Sequence, residues 1–219
     1  MKKTCMGVAL FLAVWSVGST AESIRYLETI GAATGERFVT IEKDASTGLV
    51  TIESAAVGSG ERDVVVSDAK GSAVSWTSVK ASGEKRVFTR KGDGIEISAD
   101  GTSRPAKGRL DGDPWFASMD YGLARFVESG GDAMTFWIVN PKNGKAYKMA
   151  ARRMAAAPLA VGGKEELAVR VEVTAYGVPA CFYGMSYWFR ESDSLFIKFS
   201  GTQGGPGSPK YTLELSGEN

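Results

Sequence analysis

Short alternating segments, each closed off by turn-forming residues, constrain this chain more than any other feature. Glycine occurs 27 times among 219 residues, with Ser, Asp and Asn clustered beside it. Between these breaks, β-branched and aromatic residues fall in runs of five to nine. A side-chain period of two belongs to strands, and such runs bounded by turn formers describe an antiparallel meander. Ser23 to Ile30 reads as a first strand. Gly35 to Lys43 reads as a second, with Phe38 opposing Val39 and Ile41 nearby. Asp44 to Gly48 turns the chain into Leu49 to Val57, where Leu49, Thr51 and Glu53 oppose Val50 and Ile52. Val64 to Val66, Ala73 to Val79, Lys85 to Arg90 and Gly94 to Ser98 continue the series.

The middle of the chain breaks that rhythm. Arg104 to Gly108 reads as a connector, and Asp111-Gly112-Asp113-Pro114 as a helix start. Asp113 can cap free N–H groups, and Pro114 suits the first helical position. Trp115, Phe116, Met119, Leu123, Phe126 and Val127 then recur at spacings of three and four. That spacing gives one apolar face and predicts a helix of about four turns over 114–128. Ala133 to Val139 resumes the strands, and Asn140 to Gly144 is a turn by its chemistry. Lys145 to Ala157 has helical composition but follows a hairpin signal and alternates, so it is read as a strand. In Glu165 to Thr174, Leu167, Val169, Val171 and Val173 share a face. Cys181, Tyr183, Met185, Tyr187 and Phe189 share another. Leu195, Ile197 and Phe199 point one way in the next strand, Gln203 to Pro209 is a loop, and Tyr211 to Leu215 closes the series. The pattern describes a mainly β fold: one large curved antiparallel sheet, a half-barrel or open barrel of about ten strands, around a single helix.

The first 21 residues have a different character. Lys2 and Lys3 precede an apolar run from Met6 to Val17, and Ser19-Thr20-Ala21 supplies small residues before Glu22. The apolar run is too short to span a bilayer, and the order is that of a secretory signal peptide. The expected organisation is a cleaved leader over 1–21 and a single β-rich domain over 22–219, exported to the periplasm. Loss of Lys2 and Lys3 takes the 26 basic residues to 24 against 25 acidic ones. A near-neutral chain with both signs interspersed has no electrostatic attraction to nucleic acid, and no later apolar run is long enough for a membrane anchor.

Histidine is absent from the whole chain. Its absence removes the usual general base near neutral pH, the Ser-His and Cys-His pairs, and the commonest transition-metal ligand. No catalytic residue, metal site or cofactor is assigned. Cys181 is the one cysteine beyond the leader. It is expected to be a buried, inert small hydrophobe without a disulfide partner.

Pro158-Leu159, Val161 to Glu165, the alternating Val169 to Val173, Tyr187-Trp188-Phe189 and Leu195 to Phe199 together carry a resemblance. They resemble uncharacterised exported bacterial domains of unknown function. The sheets of those domains are similar to the half-barrel of the periplasmic lipoprotein carrier superfamily. The resemblance implies an incomplete barrel with a helical lid over a site for acyl chains. It transfers no individual binding residue.

Other motifs point to no specific chemistry. The glycine-rich stretch from Gly201 to Lys210 lacks the order of a phosphate-binding loop. Asp111, Asp113 and Asp120 lack calcium-loop spacing. Arg109, Arg152 and Arg153 read as solvated charges rather than an anion site. The aromatic set Trp115, Phe116, Trp137, Tyr183, Tyr187 and Trp188 could line an apolar pocket, against the alternative of a packed core. The function expected is a non-enzymatic binding module for a lipid, another apolar or amphipathic ligand, or an envelope protein. Two alternatives stand beside it. One is an assembly protein pairing through a sheet edge; the other is a histidine-free enzyme acting through Tyr, Arg, Asp or Glu.

Overall fold

The structure, a computed structural model, describes residues 20–177, 184–202 and 208–218. Its first wing is β1 (Thr20–Ile30), β2 (Ala33–Lys43), β3 (Val50–Ala56), β4 (Arg62–Ser67), β5 (Ala73–Val79), β6 (Lys85–Lys91), β7 (Gly94–Ala99) and β8 (Thr102–Pro105). Helix α1 (Met119–Glu128) follows. The second wing is β9 (Ala133–Val139), β10 (Ala146–Val161), β11 (Lys164–Ala175), β12 (Met185–Arg190), β13 (Phe196–Thr202) and β14 (Lys210–Glu218). All pair antiparallel with their neighbours in one open sheet, in the order β8-β7-β6-β5-β4-β3-β2-β1-β14-β13-β12-β11-β10-β9.

The turns form for local reasons. Asp44 accepts from the Ser46 backbone N–H at 2.8 Å, and Asp68 from those of Lys70 and Ser72 at 2.9 Å each. Asn140 and Asn143 do the same for Lys142 and Lys145. These side chains imitate a backbone turn, so each reversal is encoded within a few residues.

The sheet has 14 strands where about ten were expected. One of them, β8, lies in what reads as a connector. Pro105 is tolerated there because β8 is an edge strand. Between β8 and α1 the chain runs as a strap across the gap separating the two sheet edges. On one side, the Ala106 and Leu110 N–H groups donate to Ile95 and Asp93 carbonyls of β7 and its preceding turn, at 2.7 Å each. On the other, Lys107 pairs in parallel with Lys145 and Trp115 with Trp137. The strap corrects the helix expectation. The helix starts at Met119, not Pro114, because residues 114–116 spend their backbone groups on the sheet. Pro114 accepts from the Trp137 N–H, Trp115 from that of Ala73, and the Phe116 N–H donates to Trp137. Asp113 caps nothing; it pairs with Lys148 and accepts from the Thr135 hydroxyl.

The main core lies on the concave face, under α1. Tyr121, Leu123, Phe126 and Val127 of the helix are buried against it. Gly122 admits the Phe116 ring, whose atoms would stand 2.6 Å from an added Cβ. A second, small apolar cluster sits on the other face: Val161, Ala168 and Ile197, with Leu159 and Trp188 beside them. A bulge between Trp188 and Phe189, opposite Phe196 and Lys198, puts Ile197 there. The expected face of Leu195, Ile197 and Phe199 is therefore broken, and Phe196 joins Phe199 in the main core. Leu167, expected on the apolar face, is 48% exposed. Beyond Arg152, β10 is paired with β11 alone, and Pro158 removes a donor from its free edge.

Candidate functional site

Inward-facing positions of eight strands meet beneath the start of α1. Val39, Ile52, Val65 and Trp76 come from β2 to β5, and Tyr26 from β1. Phe199, Tyr211 and Tyr187 complete the wall from β13, β14 and β12, and Met119 and Asp120 of α1 form the roof. They line a cavity of about 250 Å³ that is partly open to solvent. A second cavity, of about 470 Å³, adjoins it and shares Tyr26, Val39, Ile52, Asp120 and Phe196. Small-molecule sites occupy volumes on the order of 300–1,000 Å³, with mostly apolar walls and a few placed polar groups.

The rings pack in a chain along one wall. Tyr187 and Phe199 have centroids 4.8 Å apart, and Phe199 and Tyr211 5.2 Å. Tyr26 tilts against Phe196 at 5.3 Å and donates its hydroxyl to the Phe196 carbonyl at 2.9 Å. Burial, with a smaller contribution from the Asp120 charge, pushes the Tyr26 phenol well above its ordinary range. It stays a neutral donor at any physiological pH.

Polar groups line the wall near β2. Arg37 donates to Glu28 at 2.9 and 3.2 Å and to the Ser54 hydroxyl at 3.0 Å. The Tyr211 hydroxyl donates to the same Glu28 oxygen at 2.9 Å. Burial, then the Glu28 charge, raises the Tyr211 phenol, so this donor is also permanent. Asp63 accepts from the Trp76 indole N–H at 2.8 Å. Asp120 accepts from the Ser118 hydroxyl.

The aromatic residues singled out from sequence do not form one pocket. Tyr187 faces the inner cavity. Trp115 has no solvent exposure and is core. Phe116 stacks on Phe136 at 4.8 Å and borders a separate groove beside α1. Trp137 donates its indole N–H to Asp111 at 2.9 Å and lies under the Lys148 ammonium. Trp188 joins the small cluster on the other face, because strand neighbours point to opposite sides. Tyr183 and Cys181 lie outside the described residues, as does most of the Gln203 to Pro209 loop. Of the remaining candidates, Asp111 and Asp113 hold Lys148, and Arg109 pairs with Asp93 on the surface. The sequence reading missed Trp76, Phe199, Tyr211, Arg37 and Asp63. Arg37 and Asp63 share parity with Val39 and Val65, and a charge at an inward position of an apolar strand is the signal that finds them.

No protein-family model and no curated protein sequence matches this chain. Solved structures do. The β-barrel-like protein of the domain of unknown function DUF1849 from Brucella abortus superposes with a TM-score of 0.57 at 8% identity. The match covers 91% of this chain and 97% of that one. The two share a fold. MucB matches with a TM-score of 0.34 at 10% identity, covering 91% of this chain and 52% of its own. A LolA superfamily protein from Nitrosomonas europaea matches at 0.28 and 11% identity, covering 94% and 87%. No helix among the described residues is long and apolar enough to cross a membrane.

Proposed function

We propose that this chain is a non-enzymatic binding module that holds an apolar or amphipathic ligand beneath α1. One observation carries the reading: aromatic side chains of β12 to β14 and β5 wall a volume that they do not fill. Burying an alkyl chain there releases roughly 0.8 kcal/mol per methylene. The helix supplies the lid, and the polar groups near β2 receive the ligand's other end. Residues 1–21 act as an export leader, and the module works in the periplasm. Cleavage before Glu22 leaves the β1–β2 ladder intact from the Glu22–Ile41 pair onward.

Displacement of an uncharged fluorescent probe by fatty acids and envelope lipids tests binding. Val39→Phe, which fills space shared by both cavities, is expected to abolish it while the fold persists. Probe binding unchanged in that variant would sink the reading. N-terminal sequencing of the exported protein, expected to begin at Glu22, tests the leader.

One observation favours a second reading, a histidine-free enzyme: Asp63 and Asp120 face the same aromatic-walled volume. Turnover of a bound ester or glycoside, lost in Asp63→Asn, would establish it. Assembly through a sheet edge finds less support among the described residues. β8 is four residues long, the β9 edge is bonded to the strap, and the free part of β10 contains Pro158.

A further inference from the structure

The binding reading above leaves the ligand's polar end unnamed, and the inference here rests on that reading. We propose that the inner cavity receives an ammonium group carried on an apolar tail. Asp63 and Asp120 both line the volume. Asp63 accepts one indole N–H and Asp120 one hydroxyl, and neither stands in an ion pair among the described residues. Arg37 is the cation on the same wall, but its guanidinium is already committed to Glu28 and Ser54. Glu28, not itself a lining residue, offsets that guanidinium, so the two lining carboxylates share a wall whose one cation is already paired.

The rings point the same way, independently of the charges. Trp76, Tyr187, Phe199 and Tyr211 border this cavity, and the faces of aromatic rings attract cations. An anionic head would instead be brought beside the like charges of Asp63 and Asp120. A primary ammonium would donate hydrogen bonds to the two carboxylates, and a quaternary one would rest on the rings. Both have the same charge and come from different molecules, so the test separates them.

The experiment uses the full purified chain with the uncharged probe N-phenylnaphthylamine. Competitors are dodecylamine, dodecyltrimethylammonium, dodecanoate and dodecyl maltoside, each below its micelle concentration. Both ammonium amphiphiles are expected to displace the probe at concentrations about tenfold below dodecanoate. D120N, whose amide oxygen can still accept from Ser118, is expected to cut that ratio to about threefold. D63N should do the same from the sheet side, and E53Q, at a position outside the cavity, should leave the ratio unchanged. The weaker of the two ammonium compounds reports whether carboxylates or rings dominate. Dodecanoate competing as well as the amines, or a ratio unmoved in both D63N and D120N, would overturn the ammonium assignment while leaving cavity binding intact. Failure of every amphiphile to displace the probe would remove cavity binding itself, and this inference with it.

Discussion

The concave face of the sheet has two ends that differ in packing. Around Trp115, Phe136 and Leu123 the side chains interdigitate and are almost completely buried. Around Tyr26, Tyr187, Phe199 and Tyr211 equally large rings leave open volume. Ring size is not what separates them. At the open end Arg37, Glu28, Ser54 and Asp63 stand on the same wall, and burying such groups without partners is costly. An apolar side chain filling that space would have to dehydrate them. The closed end tolerates one unsatisfied polar atom, the Trp115 indole N–H, which has no partner among the described residues.

Truncation at the two ends should expose that difference. Trp115→Ala is expected to cost about 3–5 kcal/mol, because it opens a void in a closed region. Trp115→Phe should cost much less, since it also removes the unpartnered N–H. Phe199→Ala is expected to cost only about 2 kcal/mol, the transfer contribution without a newly enclosed void. Urea denaturation measures all three, and equal costs for Trp115→Ala and Phe199→Ala would break the comparison. Gly122→Ala forces a methyl group against the Phe116 ring. Overpacking, partly offset by better helix propensity, should give about 1–2 kcal/mol, with probe binding in the open end unchanged.

The smallest effect concerns the strap. Hydrogen bonds from Lys148 and then Trp137 hold the Asp111 carboxyl at about 2, against an ordinary 3.8. Its stabilisation is therefore fully present above about pH 4 and is lost as pH falls toward 2. Hydrogen exchange of the amides over 107–116 should accelerate through that window. Asp111→Asn should show the faster exchange already at pH 7, and an unchanged pH profile in that variant would assign the acid sensitivity elsewhere.

Period-two segments were legible because each depends on its own few residues. Val50 and Ile52 face inward as expected, and so do Val169, Val171 and Val173. The strap was not legible. Asp113-Pro114 has good local chemistry for a helix start, and only the distant Lys148, Thr135 and Trp137 redirect it. The bulge at Ile197 escaped for a related reason, since an inserted residue leaves no mark in an alternating apolar run. As for the site, choosing aromatic residues by type placed Trp188 beside Tyr187, although adjacent strand positions cannot share a face. Parity would have selected Trp76 and Arg37.

The pairing of β1 with β14 joins the two wings at the middle of the sheet, and it sets an order of events during synthesis. Each wing can zip from hairpins between sequence neighbours, but β1 must wait for the last strand in the chain. Whether the chain emerges from a ribosome or from an export channel, everything between Ile30 and Lys210 has to appear first. Throughout that interval β2 covers one side of Ile24–Ile30, and the other side displays its unpaired N–H and C=O groups. The edge that later knits the finished sheet is, until then, an open template for any foreign strand, and the place where a chaperone would have to act.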